Sequence, residues 1–195
     1  MIAILQPKFY TIDQHLIPPE KVDPHAYYLV RTLREHGFSA YIVGGWVRDL
    51  LMGKPPKDFD ISTSARPEEI KALFPNAILI GKRFRLAHVR FGKKILEVST
   101  FRTGDIQNAS LILHDNDYGT EEDDVLRRDF TINGLFYDLE SETIIDYVGG
   151  YIDAKNRLLR TIGEPVARFK QDPVRMLRLL KFQARFGLSV DKNTL

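Results

Sequence analysis

The chain has 195 residues, 44% of them hydrophobic, and its 28 basic and 26 acidic side chains leave a formal charge of +2. That is enough apolar material for a core, and too little net charge to mark a nucleic-acid binder by composition alone. Cysteine is absent, which excludes disulfides and thiolate metal sites and fits a reducing, cytoplasmic setting. Met1–Tyr10 lacks the basic end and apolar run of a signal peptide, and no stretch approaches the roughly 18 apolar residues of a membrane span, so no membrane contact is expected.

Residues 1–22 are poorly patterned and contain Pro18-Pro19, so they are expected to form an arm, ordered only against a neighbour. Asp23-Pro24 caps and starts a helix whose apolar positions Tyr27, Leu29, Val30 and Leu33 recur at helical spacing until Gly37. The period then changes. Phe38 to Val43 reads as a strand, Gly44-Gly45 as a turn, and Trp46 to Met52 as a helix ending at Gly53. A strand is expected over Asp58 to Ser62, then a helix from Arg66-Pro67-Glu68-Glu69 to Phe74.

Arg85 to Phe91 and Lys94 to Phe101 alternate on either side of Gly92-Lys93, the pattern of an antiparallel hairpin. In its second strand Ile95, Glu97 and Ser99 share a face opposite Leu96, Val98 and Thr100. Residues 104–122 read as a polar loop. A helix is expected from Asp123, carrying Arg127, Arg128, Asp129 and Asn133 on its length. Ile144 to Val148 reads as a strand ended by Gly149-Gly150. Beyond Asp172-Pro173 a helix with apolar positions Val174, Leu177, Leu180 and Phe182 is interleaved with Arg175, Arg178 and Lys181, so the chain passes from mixed α/β to helical.

The chemistry concentrates at Lys57-Asp58-Phe59-Asp60-Ile61. Residues two apart on a strand face the same way, so both carboxylates would point to one side while Phe59 and Ile61 anchor the other. Such a pair suits a divalent metal in phosphoryl transfer, where charge develops on phosphate oxygens. Gly44-Gly45 would permit close approach of backbone to phosphate, with Arg48 one turn into the helix that follows. Asp172 and Arg175, three apart, would face one object. The five histidines have no metal-binding spacing.

Four ordered segments carry a resemblance: Val43-Gly44-Gly45-Trp46-Val47-Arg48-Asp49, Arg127-Arg128-Asp129-Phe130-Thr131-Ile132-Asn133, Asp146-Tyr147-Val148-Gly149-Gly150, and Asp172-Pro173-Val174-Arg175-Met176-Leu177-Arg178. With Asp58, Asp60 and Leu96-Glu97-Val98 they resemble the bacterial poly(A) polymerase and class II CCA-adding family, within the DNA polymerase beta type nucleotidyltransferases. The segment from Leu79 to Val89, which includes Phe84 and Arg85, is similar to that of the poly(A) polymerases.

The resemblance implies an α+β fold: a nucleotidyltransferase head with a mixed, mainly antiparallel sheet flanked by helices (residues 23–150), then the start of a helical neck (151–195) before an RNA-binding body. It implies template-independent addition of AMP from ATP to RNA 3′ ends, with CCA addition to tRNA or a catalytically inactive RNA-binding module as alternatives. Asp58, Asp60 and Glu97 would hold two Mg²⁺ ions. Gly44, Gly45, Arg48, Arg127, Arg128, Asn133 and Arg178 would bind nucleotide, Asp129 would act at the ribose, and Asp172 with Arg175 would read the base. Gln171 stands where the family usually has glutamate, and Lys181 where arginine is common.

Overall fold

In the computed structural model, residues 6–81, 85–104, 110–112 and 117–195 are described. Strand β1 (Lys8–Tyr10) and the short helix α1 (Ile12–His15) precede a 3₁₀ turn at Pro19–Lys21. Helix α2 (Pro24–Glu35) leads into β2 (Ala40–Val43), α3 (Gly45–Leu51) and β3 (Asp60–Thr63). Next come α4 (Pro67–Leu73), β4 (Ala77–Ile80), β5 (Leu86–Phe91) and β6 (Lys94–Thr100). After α5 (Glu121–Leu126) and a 3₁₀ turn at Thr131–Asn133 lie β7 (Leu135–Asp138) and β8 (Thr143–Asp146). The chain finishes with α6 (Gly150–Lys155), β9 (Leu158–Leu159), α7 (Pro165–Gln171), α8 (Val174–Phe186) and β10 (Ser189–Val190).

Eight strands form one sheet in the order β1-β8-β7-β2-β3-β6-β5-β4. Its pairings are antiparallel except that of β3 with β6, which sets Asp60 beside Glu97. This is the mixed, mainly antiparallel sheet with flanking helices that the sequence implied. Strands β9 and β10 form a separate parallel pair.

Local chemistry explains most boundaries. Asp23 caps α2 by accepting from the His25 and Ala26 amides, and Pro24 costs no hydrogen bond in the first turn. The inner face of α2 is Ala26, Leu29, Val30 and Leu33, while Tyr27 is exposed. Trp46 is fully buried between the rings of Phe59 and Tyr137, which seats α3 on the sheet. The Asp146 carboxylate accepts from the amides of Val148, Gly149, Gly150 and Tyr151 and so starts α6. A Cβ on Gly150 would lie 2.0 Å from the Thr131 carbonyl oxygen, so only glycine allows α6 to meet the 3₁₀ turn. A second apolar cluster, built from Phe130, Ile132, Leu159, Leu179, Phe182 and Phe186, holds α8 against that turn.

Several expectations change. Within the N-terminal arm, residues 8–10 form a strand that was not anticipated: β1 pairs with β8 and Tyr10 stacks on Tyr151 at 3.8 Å. Strands β4 and β7 were not anticipated, because each is four residues long and carries no turn signal of the hairpin kind. Helix α5 begins at Glu121 and ends at Leu126, so Arg127, Arg128 and Asp129 lie on a turn rather than on a helix with Asn133. Asp172 closes α7, and α8 begins only at Val174. On α8 the apolar Val174, Leu177 and Leu180 are exposed, whereas Arg175 is buried with Leu179, Phe182 and Phe186. The hydrophobic period there marks two faces, and the inward one is partly cationic.

Candidate active site

The expected residues converge on one cleft of about 710 Å³, lined from the sheet by Asp60, Glu97 and Ser99, from the turn after β2 by Gly44, and from α8 by Arg175, Arg178, Lys181 and Arg185. Asp58, Gly45, Arg48, Arg127, Arg128, Asp129, Asn133 and Asp172 complete the line of sequence candidates. Lys82, Arg83 and Phe84 lie outside the described residues. Arg85 pairs with Glu68 at 2.7 Å and is not part of the cleft lining.

The acidic end differs from the simple strand pair. Asp58 is exposed on the segment before β3, and only Asp60 and Glu97 sit on strands. The parallel pairing of β3 and β6 supplies the second carboxylate from another strand, not from the adjacent residue in sequence. Burial pushes the Asp60 carboxyl up to about 6, with Glu97 and Asp58 adding repulsion against the pull of Arg128 and Arg48. Among the described residues no three His, Cys, Asp or Glu side chains close into a metal cage. Magnesium does not need one, since it commonly takes one or two carboxylates and completes its shell with phosphate and water. A carboxylate pushed up by burial and by repulsion from acidic neighbours is a donor that a cation relieves, so the residues present fit a divalent metal.

Gly44 sits opposite that end with φ 63° and ψ −115°, a conformation closed to L side chains at low cost. A Cβ there would come within 3.5 Å of an Arg128 guanidinium nitrogen and 4.0 Å of Asp60, so the backbone approaches both the cationic and the acidic groups.

The cationic end is built on turns. Asp124 accepts from Arg128 at 2.8 Å and lies 3.9 Å from Arg127, and Arg128 also donates to Ser62 at 2.9 Å. Burial pushes Arg127 down to about 8, and Arg102, Arg128, Arg168 and Arg175 deepen the effect. Such crowded guanidiniums in a cleft are a demand for an anion.

Arg48 is buried and committed to protein partners: Nη1 donates to Asn133 Oδ1 at 2.6 Å, and Nε and Nη2 donate to Asp49. Its guanidinium also lies over Phe182 and Phe186. Asn133 donates to Asp129 Oδ1 at 2.9 Å, and Asp129 Oδ2 lies 2.8 Å from Arg178 Nε. Asp129 and Asn133 therefore meet as expected, across a turn and a 3₁₀ segment. Asp172 and Arg175 face the same cleft from either side of the α7–α8 junction. Sequence reasoning did not single out Asp124, Arg102, Arg168 or Arg185. The i,i+4 spacing of Asp124 and Arg128 was a visible signal. Asp49 and Arg185 lie 136 residues apart and gave none.

Residues 40–160 match the model of the poly A polymerase head domain. The chain belongs to that family. It is 44% identical to poly(A) polymerase I of Escherichia coli O6:H1 over 205 residues, covering 98% of this chain and 44% of the relative. It is 45% identical to the CC-adding tRNA nucleotidyltransferase of Halalkalibacterium halodurans over 166 residues, covering 85% of this chain and 40% of the relative. The crystal structure of the Bacillus stearothermophilus CCA-adding enzyme in complex with CTP superposes with a TM-score of 0.79 at 37% identity, over 91% of this chain and 42% of that one. The chain thus spans less than half the length of these relatives. Its head domain holds the glycine turn, the acidic pair and the Arg-Arg-Asp turn within the matched residues; Asp172, Arg175 and Arg178 lie beyond them.

Proposed function

We propose that this head domain, with the start of its neck, transfers AMP from ATP to RNA 3′ ends without a template. Residues 23–150 act as the catalytic head and 151–195 begin the neck, while 1–22 form the N-terminal arm, whose Lys8–Tyr10 pair at the sheet edge. The observation that carries the reading is the opposition, within one cleft, of the mutually repelling Asp60 and Glu97 to the crowded guanidiniums of Arg127 and Arg128. An acidic end and an anion-seeking end at this spacing suit a metal-bound nucleoside triphosphate.

Asp58, Asp60 and Glu97 would hold two Mg²⁺ ions, which supply activation of the RNA 3′-hydroxyl and neutralisation of phosphate charge. Arg127 and Arg128 hold triphosphate oxygens, and Gly44 and Gly45 let the backbone approach them. Arg48 acts on the nucleotide indirectly, by fixing Asn133 and through it Asp129. Asp129 accepts from the ribose 2′-hydroxyl, which selects ribonucleotides. Asp172 offers an acceptor and Arg175 a donor to the base edge. The RNA 3′-hydroxyl gives up its proton to solvent as its oxygen bonds to the α-phosphorus, the bond from that phosphorus to the bridging oxygen breaks, and pyrophosphate leaves among the arginines.

Addition of C and A to tRNA is the second reading, favoured by the 45% identity to a CC-adding enzyme. Among the described residues no helix is long and apolar enough to cross a membrane, and a cytoplasmic site of action is proposed. Incubating the chain with RNA, Mg²⁺ and each nucleoside triphosphate separates the readings. A-tailing with ATP alone is expected. Ordered C, C, A addition to tRNA would replace the first reading by the second, and no incorporation of any nucleotide would remove both.

A further inference from the structure

Arg168, on α7, is 1% exposed, yet its guanidinium is held by three oxygens of which none is a carboxylate. Nη2 donates to the main-chain carbonyls of Arg127 at 2.5 Å and Arg128 at 2.8 Å, and Nη1 donates to Gln171 Oε1 at 2.5 Å. A buried cation solvated by main-chain carbonyls fixes the backbone that presents them, because each carbonyl must hold its direction to satisfy the charge. The backbone in question is the Arg127–Asp129 turn.

The same turn is tied to the base side of the cleft. Arg175 Nη2 donates to the Arg127 carbonyl at 3.2 Å, and Arg175 Nη1 donates to the carbonyl of Arg168 itself at 2.9 Å. Arg127 therefore offers one carbonyl to two guanidiniums, and Arg168 contributes both a side chain that holds the turn and a carbonyl that holds Arg175. The ring closes through Gln171, which lies one turn of α7 from Arg168 and immediately before Asp172.

We propose that Arg168 is a positioning residue for nucleotide selection, setting the guanidinium of Arg175 at a fixed offset from the Arg127–Asp129 turn. It touches no nucleotide. Its side chain acts through the Arg127 carbonyl, at which Arg175 is also pinned, so what it controls is the ratio between bases and not the affinity for triphosphate as such. Burial, with repulsion from Arg175, pushes its guanidinium down to about 10, and removing the side chain takes a donor from each of the carbonyls that hold it. The inference rests on the reading of Arg175 as a base contact.

The test measures equilibrium binding of ATP, CTP, GTP and UTP to the whole chain, by competition against a fluorescent nucleotide, for wild type, Arg168→Lys, Arg168→Gln, Gln171→Leu and Arg175→Gln. Wild type is expected to prefer one nucleotide. Arg168→Gln should erode that preference by about tenfold and match Arg175→Gln in direction, with Arg168→Lys and Gln171→Leu falling between. In the double variant Arg168→Gln/Arg175→Gln the loss should be no greater than in Arg175→Gln alone. A uniform fall in affinity for all four nucleotides with an unchanged ratio, alongside a lower melting temperature, would assign Arg168 a purely structural role and overturn the proposal. So would an additive double variant. If Arg168→Gln does not fold, Gln171→Leu, which keeps the cation and removes one acceptor, gives the same decision. A wild-type preference for CTP would remove the adenylyl reading while leaving the Arg168 proposal to be judged by its own ratio. No wild-type preference at all would remove the proposal.

Discussion

Asp49 joins Arg48 through one carboxylate oxygen at 2.6 Å and Arg185 through the other at 2.7 Å, so a single buried acid ties α3 to α8. Arg48 in turn holds Asn133, and the cleft wall is continuous from the glycine turn to the neck helix. Asp49→Ala would leave the buried Arg48 without its main counter-charge. Removing one partner of a buried pair costs about 3–5 kcal/mol. A drop of that size in urea-unfolding free energy is expected, whereas Arg185→Ala, whose partner keeps Arg48, should cost no more than about 1 kcal/mol. Equal losses in the two variants would show that Asp49 does not rank them this way.

Asp60→Asn separates stability from function. Burial and the carboxylates of Glu97 and Asp58 hold the Asp60 carboxyl up at about 6, so at neutral pH its charge is carried at a higher cost in the folded chain than in the unfolded one. Removing the charge should stabilise the metal-free protein by about 1–2 kcal/mol, since each pKa unit corresponds to about 1.4 kcal/mol and solvent and relaxation discount the sum. The same change should abolish nucleotide transfer and weaken Mn²⁺ binding read by electron paramagnetic resonance. A destabilised Asp60→Asn variant that still binds Mn²⁺ would contradict the assignment of this carboxylate.

The acidic site shows how far the sequence carried. Asp58-Phe59-Asp60 was readable as a metal motif, but the strand geometry inferred from it was not the one adopted, because Asp58 stays outside β3, where it is exposed yet still lines the cleft. The carboxylate adjacent to Asp60 is Glu97, 37 residues away, and only the parallel β3–β6 register puts them together. Period-two alternation gave the correct face for Glu97 without giving its neighbour. On α8 the period was also correct but pointed the wrong way, since the exposed Leu177 and Leu180 and the buried Arg175 reverse the usual reading of polarity. Pairings at long separation, such as Asp49 with Arg185, leave no local trace.

Gly44→Ala should fail through backbone geometry, not through crowding. The added Cβ would meet Arg128 at 3.5 Å and Asp60 at 4.0 Å, ordinary contact distances. The backbone at φ 63° and ψ −115° is what a side chain resists, at about 1–3 kcal/mol. If the turn relaxes to relieve that strain, α3 starts elsewhere and the approach to Arg128 is lost. The expected outcome is a lower melting temperature with a larger fall in nucleotide affinity than the stability loss alone explains. Wild-type affinity in Gly44→Ala would show that the turn does not have to be held this close.

Arg127→Gln is expected to stabilise the nucleotide-free chain while impairing binding. The guanidinium is buried to 15% exposure, is pushed down to about 8 by burial and four neighbouring arginines, and lies 3.9 Å from Asp124. At neutral pH it keeps its proton, and an incoming anion offsets the cost of burial and the repulsion of its cationic neighbours. Glutamine removes the charge but leaves the main-chain carbonyl that Arg168 and Arg175 use, so the cleft keeps its shape. A gain of about 1 kcal/mol in unfolding free energy is expected. Affinity for a nucleoside triphosphate should fall about tenfold or more, with a shallower dependence on salt concentration. The nucleoside without phosphates should bind equally to both proteins. A variant that is destabilised, or that loses nucleoside and triphosphate affinity together, would place Arg127 in the framework of the cleft and not at its anion site.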